Sequence, residues 1–160
     1  MPKLINKQVQ DCIDRSVLCW LATSDHDHFP NVSPKEMFLA KNDEQLVIAN
    51  IASPKSLKNI EINDKVCVSF IEVFEQKGFK LKGHAKIIEK SNTSYDSLSN
   101  LLINKYGDAY PIQCVFLITV ASVHPIIAPS YFLYPEISDE TRMLGVMGVY
   151  GVLPDESRKK

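Results

Sequence analysis

Between Phe79 and Glu89 the chain alternates Phe79, Leu81, Gly83, Ala85 and Ile87 with Lys80, Lys82, His84 and Lys86. A period of two over that length belongs to an extended strand with one buried and one wetted face. The run Lys65 to Phe74 before it is rich in strand formers, and Glu75-Gln76-Lys77-Gly78 joins the two as a hairpin. A long hairpin wetted on one side must bury its other side against more β structure or helices, so the rest of the chain is constrained to supply that cover.

It supplies mostly strands. Val17 to Thr23 reads as one strand, the polar cluster Ser24-Asp25-His26-Asp27-His28 as a turn, and Phe29 to Leu39 as its partner. After Lys41-Asn42-Asp43-Glu44 comes Gln45 to Asn50, and the last strand is predicted from Ile112 to Val123. Three helices are predicted around them. Residues 3 to 15 place Leu4, Ile5, Val9, Cys12 and Ile13 at helical spacing with Pro2 ahead. Ser53 and Pro54 open a second helix that ends near Asn63-Asp64. Asn92 to Tyr106 carries Tyr95, Leu98, Leu101, Leu102 and Tyr106 on one stripe, with Gly107 where a left-handed cap belongs. Six strands, mostly hairpin-connected, predict a mainly β fold: a six-stranded antiparallel barrel, closed or nearly so, with peripheral helices. The 160 residues make one domain over 1–160, with an irregular tail from about 124.

Composition excludes several classes of function. With 18 basic and 19 acidic residues the net charge is −1, which argues against an electrostatic nucleic-acid binder. At 45% hydrophobic the chain is not disordered, and no apolar run reaches the length of a membrane span. A cytoplasmic protein is expected. Cys12, Cys19, Cys67 and Cys114 lie far apart with no zinc-type pairing and read as reduced packing residues. No metal site is expected: Asp25, His26, Asp27 and His28 resemble a metal tract, but on a hairpin turn such groups point into solvent. Signatures of nucleophilic, zinc-dependent or P-loop catalysis are missing.

The segment Asn50-Ile51-Ala52-Ser53-Pro54-Lys55-Ser56 carries more chemistry. A helix N-terminus offers unpaired N–H groups, and here two hydroxyls, Ser53 and Ser56, and the ammonium of Lys55 stand beside it, which suits a phosphate. The same residues also read as an ordinary capped helix with a solvent-facing lysine.

The order of motifs adds to this. Phe29-Pro30-Asn31-Val32-Ser33-Pro34, the strand Leu46 to Asn50, the Lys55-Ser56-x-x-Asn59 helix start, Asn63-Asp64-Lys65-Val66-Cys67-Val68 and Phe79-Lys80-Leu81-Lys82-Gly83-His84-Ala85 together resemble the pyridoxamine 5′-phosphate oxidase-like, FMN-binding split-barrel family over about residues 5 to 123. The resemblance implies a homodimer with FMN in grooves at the interface. It places the phosphate on Ser53, Lys55 and Ser56, and the ring along Asn31, Val32, Ser33, Pro34 and Lys35 beside Ile48 and Asn50. The partner chain would close the groove near Tyr110 and Pro111. The chain departs from the oxidase itself: Pro54 follows Ser53, and the tail lacks an Arg/His pair to hold a second phosphate, so oxidation of pyridoxamine phosphate is not expected.

Two functions follow from the resemblance: an oxidoreductase passing electrons from a nicotinamide donor to a small acceptor, or a non-catalytic FMN-binding electron carrier. A haem- or deazaflavin-binding relative is a third, with His84 and His124 as the available axial ligands. Tyr131, Phe132, Tyr134, Met143, Met147 and Tyr150 in the tail fit either a wall over the flavin or dimer packing.

Overall fold

The hairpin that the alternation predicts is the spine of the molecule. In the computed structural model, which describes residues 3–154, its arms pair antiparallel from Lys65–His84 to Glu72–Lys77. The elements in chain order are α1 Lys7–Arg15, β1 Cys19–Ser24, β2 Pro30–Lys35, β3 Phe38–Asn42, β4 Gln45–Asn50, α2 Pro54–Ile62, β5 Lys65–Glu72, β6 Lys77–Glu89, α3 Tyr95–Tyr106, β7 Cys114–Ile127, α4 Ser130–Leu133 and α5 Asp139–Tyr150. One antiparallel sheet runs β2-β1-β5-β6-β7-β4-β3.

There are seven strands rather than six, because the segment Phe29 to Leu39 is broken at Glu36-Met37. Its first half, β2, pairs with β1, and its second half, β3, pairs with β4. These are the two opposite edges of the sheet. Since two residues can bridge only about 11 Å from Lys35 to Phe38, the edges must lie side by side and the sheet must be rolled up. Glu36 and Met37 therefore mark the seam of a split barrel. Gly83 lets β6 and β7 approach at their register shift: a Cβ there would stand 2.2 Å from the Thr119 carbonyl oxygen.

The barrel interior is filled by Leu21, Phe38, Leu46, Ile48, Val68, Phe70, Leu81, Phe116 and Ile118, with Val9, Cys12 and Ile13 of α1 over one end. A second core lies outside the barrel, where Leu98 and Leu102 of α3 meet Val47 and Ala49 of β4, Val115 of β7 and Met37. The strand β4 is thus buried on both faces, which explains its unbroken apolar sequence.

Several boundaries differ from expectation. Helix α1 begins only at Lys7, where Asn6 Oδ1 accepts the Val9 N–H at 3.1 Å; Pro2 lies outside the described residues. Gly107 has φ +84° but an extended ψ, so it ends α3 without adopting the left-handed helical form. The tail is not irregular. Strand β7 continues to Ile127, and α4 and α5 follow. Ser138 caps α5, Asp139 and Glu140 favour its first turn, and Gly151 closes it in the left-handed conformation. Gly145 and Gly148 in its interior lower helix propensity and mask these signals in the sequence. No described helix is long and apolar enough to cross a membrane.

Candidate functional site

A cavity of about 590 Å³ opens at the barrel seam, lined by Ser33, Pro34, Lys35, Glu36 and Met37, by Ala49, Ile51, Ala52 and Ser53 at the β4–α2 junction, and by Tyr106 and Tyr110. Its most unusual group is Lys35. This side chain follows the inward parity of β2, opposite Cys19, and the residue is only 6% exposed. Its ammonium donates to the Ser53 hydroxyl and lies 5.9 Å from the centre of the Phe116 ring. Among the described residues it has no carboxylate partner. Burial therefore holds its pKa below the ordinary lysine value, because water no longer stabilises the charged form. The neighbouring thiols give no counter-charge: burial pushes Cys19 up to about 12 and raises Cys114 too.

Ser53 does not use its side chain to cap α2. Its hydroxyl is taken by Lys35, while its own N–H donates to Asn50 Oδ1 at 3.2 Å, and Asn50 Nδ2 reaches Cys114 Sγ at 3.4 Å. Lys35, Ser53 and Asn50 thus form one cluster drawn from β2, the β4–α2 junction and β4. Behind it a second polar network ties α2 to β1 and β2. Ser56, 1% exposed, contacts Ser33 Oγ at 2.9 Å and accepts from Asn31 Nδ2 at 3.4 Å. Asn31 and Asn59 both donate to Thr23 Oγ1, at 3.2 and 3.0 Å.

The residues singled out in the sequence therefore separate into groups. Ser33, Pro34, Lys35, Ser53 and Tyr110 line the cavity. Asn31, Ser56 and Asn50 stand behind it as hydrogen-bonding support. Ile48 is sealed in the barrel core, Val32 is exposed on the outer face of β2, and Pro111 is exposed beyond the lining. Lys55 is turned away: its ammonium pairs with Asp25 Oδ2 at 3.3 Å on the β1–β2 turn. The sequence missed Glu36, Met37, Ala49, Ile51, Ala52 and Tyr106. Because β4 is apolar on both faces, its composition could not say whether Ile48 and Asn50 or Ala49 and Ile51 face the cavity.

The other candidates lie elsewhere. Asp25, His26 and Asp27 bring ligand atoms within 4.8 Å of one another. Both oxygens of Asp25 are already engaged, Oδ1 by the N–H groups of Asp27 and Phe29 and Oδ2 by Lys55. His84 Nδ1 lies 2.9 Å from Asp64, and His124 contacts Ser122; neither lines the cavity. The tail is fastened to the β5–β6 hairpin, with the Tyr131 ring between Lys77 and Arg142 at 4.1 and 4.6 Å, and Tyr150 edge-on to Phe74. Its aromatic residues do not reach the cavity of their own chain.

The sequence of residues 5–133 matches the model of the family described as pyridoxamine 5′-phosphate oxidase. The chain belongs to this family. Solved structures with the same fold include HupZ of Group A Streptococcus, at TM-score 0.65 and 22% identity over 74% of this chain and 91% of that one. An FMN-binding protein from Syntrophomonas wolfei gives TM-score 0.65 at 13% identity, covering 76% and 86%. HutZ, the haem storage protein of Vibrio cholerae, gives 0.62 at 17%, covering 77% and 94%. At these identities what is shared is the fold, mainly antiparallel β with peripheral helices. No curated protein matches the sequence.

Proposed function

We propose that this member of the pyridoxamine 5′-phosphate oxidase family binds FMN in the seam cavity and passes electrons from a nicotinamide donor to a small acceptor. The observation that carries the reading is Lys35, a buried ammonium on the cavity wall with a hydroxyl but, among the described residues, no anion beside it. A buried cation without a counter-charge is costly, and an anionic ligand in the cavity would relieve that cost. The residues fit a phosphate-bearing aromatic ligand: Lys35, Ser53 and the first N–H groups of α2 would hold the anion, and Met37, Ala49, Ile51 and the two tyrosines provide an apolar wall. FMN, when bound, supplies the hydride and electron chemistry that the side chains lack. The chain's own part is to orient the ligand, exclude water and hold positive charge at Lys35 Nζ.

A homodimer belongs to the same reading, with a second copy closing the cavity near Tyr110 and Pro111. Tyr110, 62% exposed at the cavity edge, supports this, because an aromatic lining residue left so open asks for further cover. Light scattering on the eluting protein checks it: a stable monomer would reject the shared groove. Flavin binding is tested by titrating the protein with FMN and with riboflavin, following quenching of flavin fluorescence. FMN should bind at least tenfold more tightly, in keeping with a charge-assisted phosphate contact; equal affinities would reject the phosphate site. Anaerobic mixing of the FMN-loaded protein with a reduced nicotinamide donor should then bleach the flavin absorbance, and a band that persists would favour a carrier.

A further inference from the structure

A buried ammonium without a counter-charge is relieved in two ways: an anion joins it, or it gives up its charge. The FMN reading uses the first. The surroundings of Lys35 suit the second as well. Among the described residues it is the one buried lysine, it lines the seam cavity of about 590 Å³, and it has no carboxylate partner. The ionisable groups around it do little to hold its proton. Burial keeps the Cys19 and Cys114 thiols uncharged, Tyr106 spends its hydroxyl on the Phe38 carbonyl, and Glu36, next in the chain, is exposed. A desolvated amine on a cavity wall is a nucleophile. Its hydrogen-bond partner is the Ser53 hydroxyl, and Met37, Ala49, Ile51 and Ala52 line the same cavity with apolar surface.

We propose that, when no FMN fills the cavity, Lys35 condenses reversibly with an uncharged aromatic aldehyde there, with the Ser53 hydroxyl carrying the protons. Lys35 Nζ adds to the carbonyl carbon as a neutral amine, and one of its protons passes through Ser53 Oγ to the carbonyl oxygen. A second proton follows the same way, the C–O bond breaks, water leaves and a C=N bond remains. Nothing is oxidised or reduced, so no further reactant is needed. The neutral imine removes the buried charge that the ammonium left uncompensated. The aldehyde is uncharged because an anionic one would pair with the ammonium and hold its proton in place. A flat ring suits the apolar lining. This activity goes beyond the FMN reading and competes with it for one side chain.

Reductive trapping tests it. The whole protein is mixed with benzaldehyde and cyanoborohydride, which fixes an imine as a stable benzylamine, and the labelled lysines are located by peptide mass spectrometry. Lys35 should be labelled about tenfold faster than exposed lysines such as Lys58 and Lys80, which serve as standards within the same molecule. Benzaldehyde should label it faster than 4-formylbenzoate, the same ring bearing a negative charge. Ser53→Ala should slow labelling of Lys35 severalfold with the exposed lysines unaffected, and Ser53→Thr should restore it. Labelling of Lys35 no faster than that of the exposed lysines, faster labelling by 4-formylbenzoate, or a rate untouched by Ser53→Ala overturns the proposal. Excess FMN should protect Lys35 alone. Preferred labelling that FMN does not slow would reject the flavin site and keep the imine, whereas a protein that binds FMN yet shows no preferred labelling would keep the flavin and reject the imine.

Discussion

Two lysines flank the start of α2, and they differ in every respect except charge. Lys55 is in the helix itself, exposed, and paired with Asp25 across the β1–β2 turn. Lys35 comes from a strand twenty residues earlier, is buried, and among the described residues its ammonium meets the Ser53 hydroxyl and the Phe116 ring. In the sequence Lys55 stands out because it is next to the hydroxyls, whereas in the fold Lys35 is the cation that reaches the cavity. On the proposed reading, the contrast teaches that a phosphate site is built by where side chains are delivered and how dry they are kept, since an exposed pair contributes little and a buried lone charge has much to gain from a ligand.

The sharpest way to break the contrast is Lys35→Met, which keeps the side-chain volume and removes the charge. FMN should bind roughly 10- to 100-fold more weakly, the worth of a charge-assisted hydrogen bond in a dry site, while riboflavin affinity changes little. The ligand-free protein should become more stable to urea, because an uncompensated ammonium has been replaced by an apolar group. A variant that holds FMN as well as the parent would return the role to Lys55.

Next in size is Ser56→Ala. Ser56 lies behind the cavity, so its loss should be felt in the fold before the ligand. Removing a hydroxyl that joins Ser33 and Asn31 leaves their polar groups short of a partner and should cost about 1–2 kcal/mol in urea unfolding. If FMN affinity fell sharply with stability unchanged, Ser56 would be a direct ligand contact instead.

The sequence conveys the barrel far better than the site. Alternation along β6 and the turn residues between strands identify most elements, because burial on one face leaves a period of two in the composition. The split at Glu36-Met37 leaves no such mark: both halves of the segment remain extended, and what changes is the edge they pair with, which is a long-range fact. The cavity falls at that split, so the residues missed there, Glu36 and Met37, are those whose environment depends on the closure of the barrel. Ala49, Ile51 and Tyr106 escaped for a related reason, being apolar or aromatic residues that would serve equally well as core. Ser53 lines the cavity, while the helix cap expected of it is not made by its side chain.

Lys35 should also make stability follow pH. Burial depresses the pKa of Lys35 below its ordinary 10.5, so between the depressed value and 10.5 the unfolded chain binds more protons than the folded one. Stability from this group therefore rises with pH across that window; below it both states are protonated and the burial penalty is felt in full. The four buried or half-buried thiols act in the opposite sense above about 9, since burial raises the pKa of each of them. Urea unfolding compared between parent and Lys35→Met as pH rises towards 10.5 isolates the lysine, because the thiols are common to both proteins: the stability advantage of the variant should shrink as pH rises through that window. An advantage that stays constant would mean that Lys35 keeps its proton throughout.

Lys55→Ala should have the smallest effect of all. The Lys55–Asp25 contact is at 3.3 Å, and the lysine side chain is 58% exposed, so water and salt already screen most of the attraction. Asp25 does not depend on this partner for its ionisation, because the Phe29 N–H is the first cause that holds its carboxyl below the ordinary range, and Lys55 adds to it. Unfolding free energy should move by less than about 0.5 kcal/mol, as is usual for exposed pairs. FMN affinity should fall by much less than in Lys35→Met, and any fall should fade at high salt, as expected of a charge acting through water. Should Lys55→Ala instead match Lys35→Met in its loss of FMN while riboflavin binding is unchanged, ligand binding must draw Lys55 away from Asp25, and Asp25→Asn would then tighten FMN by freeing the lysine in advance.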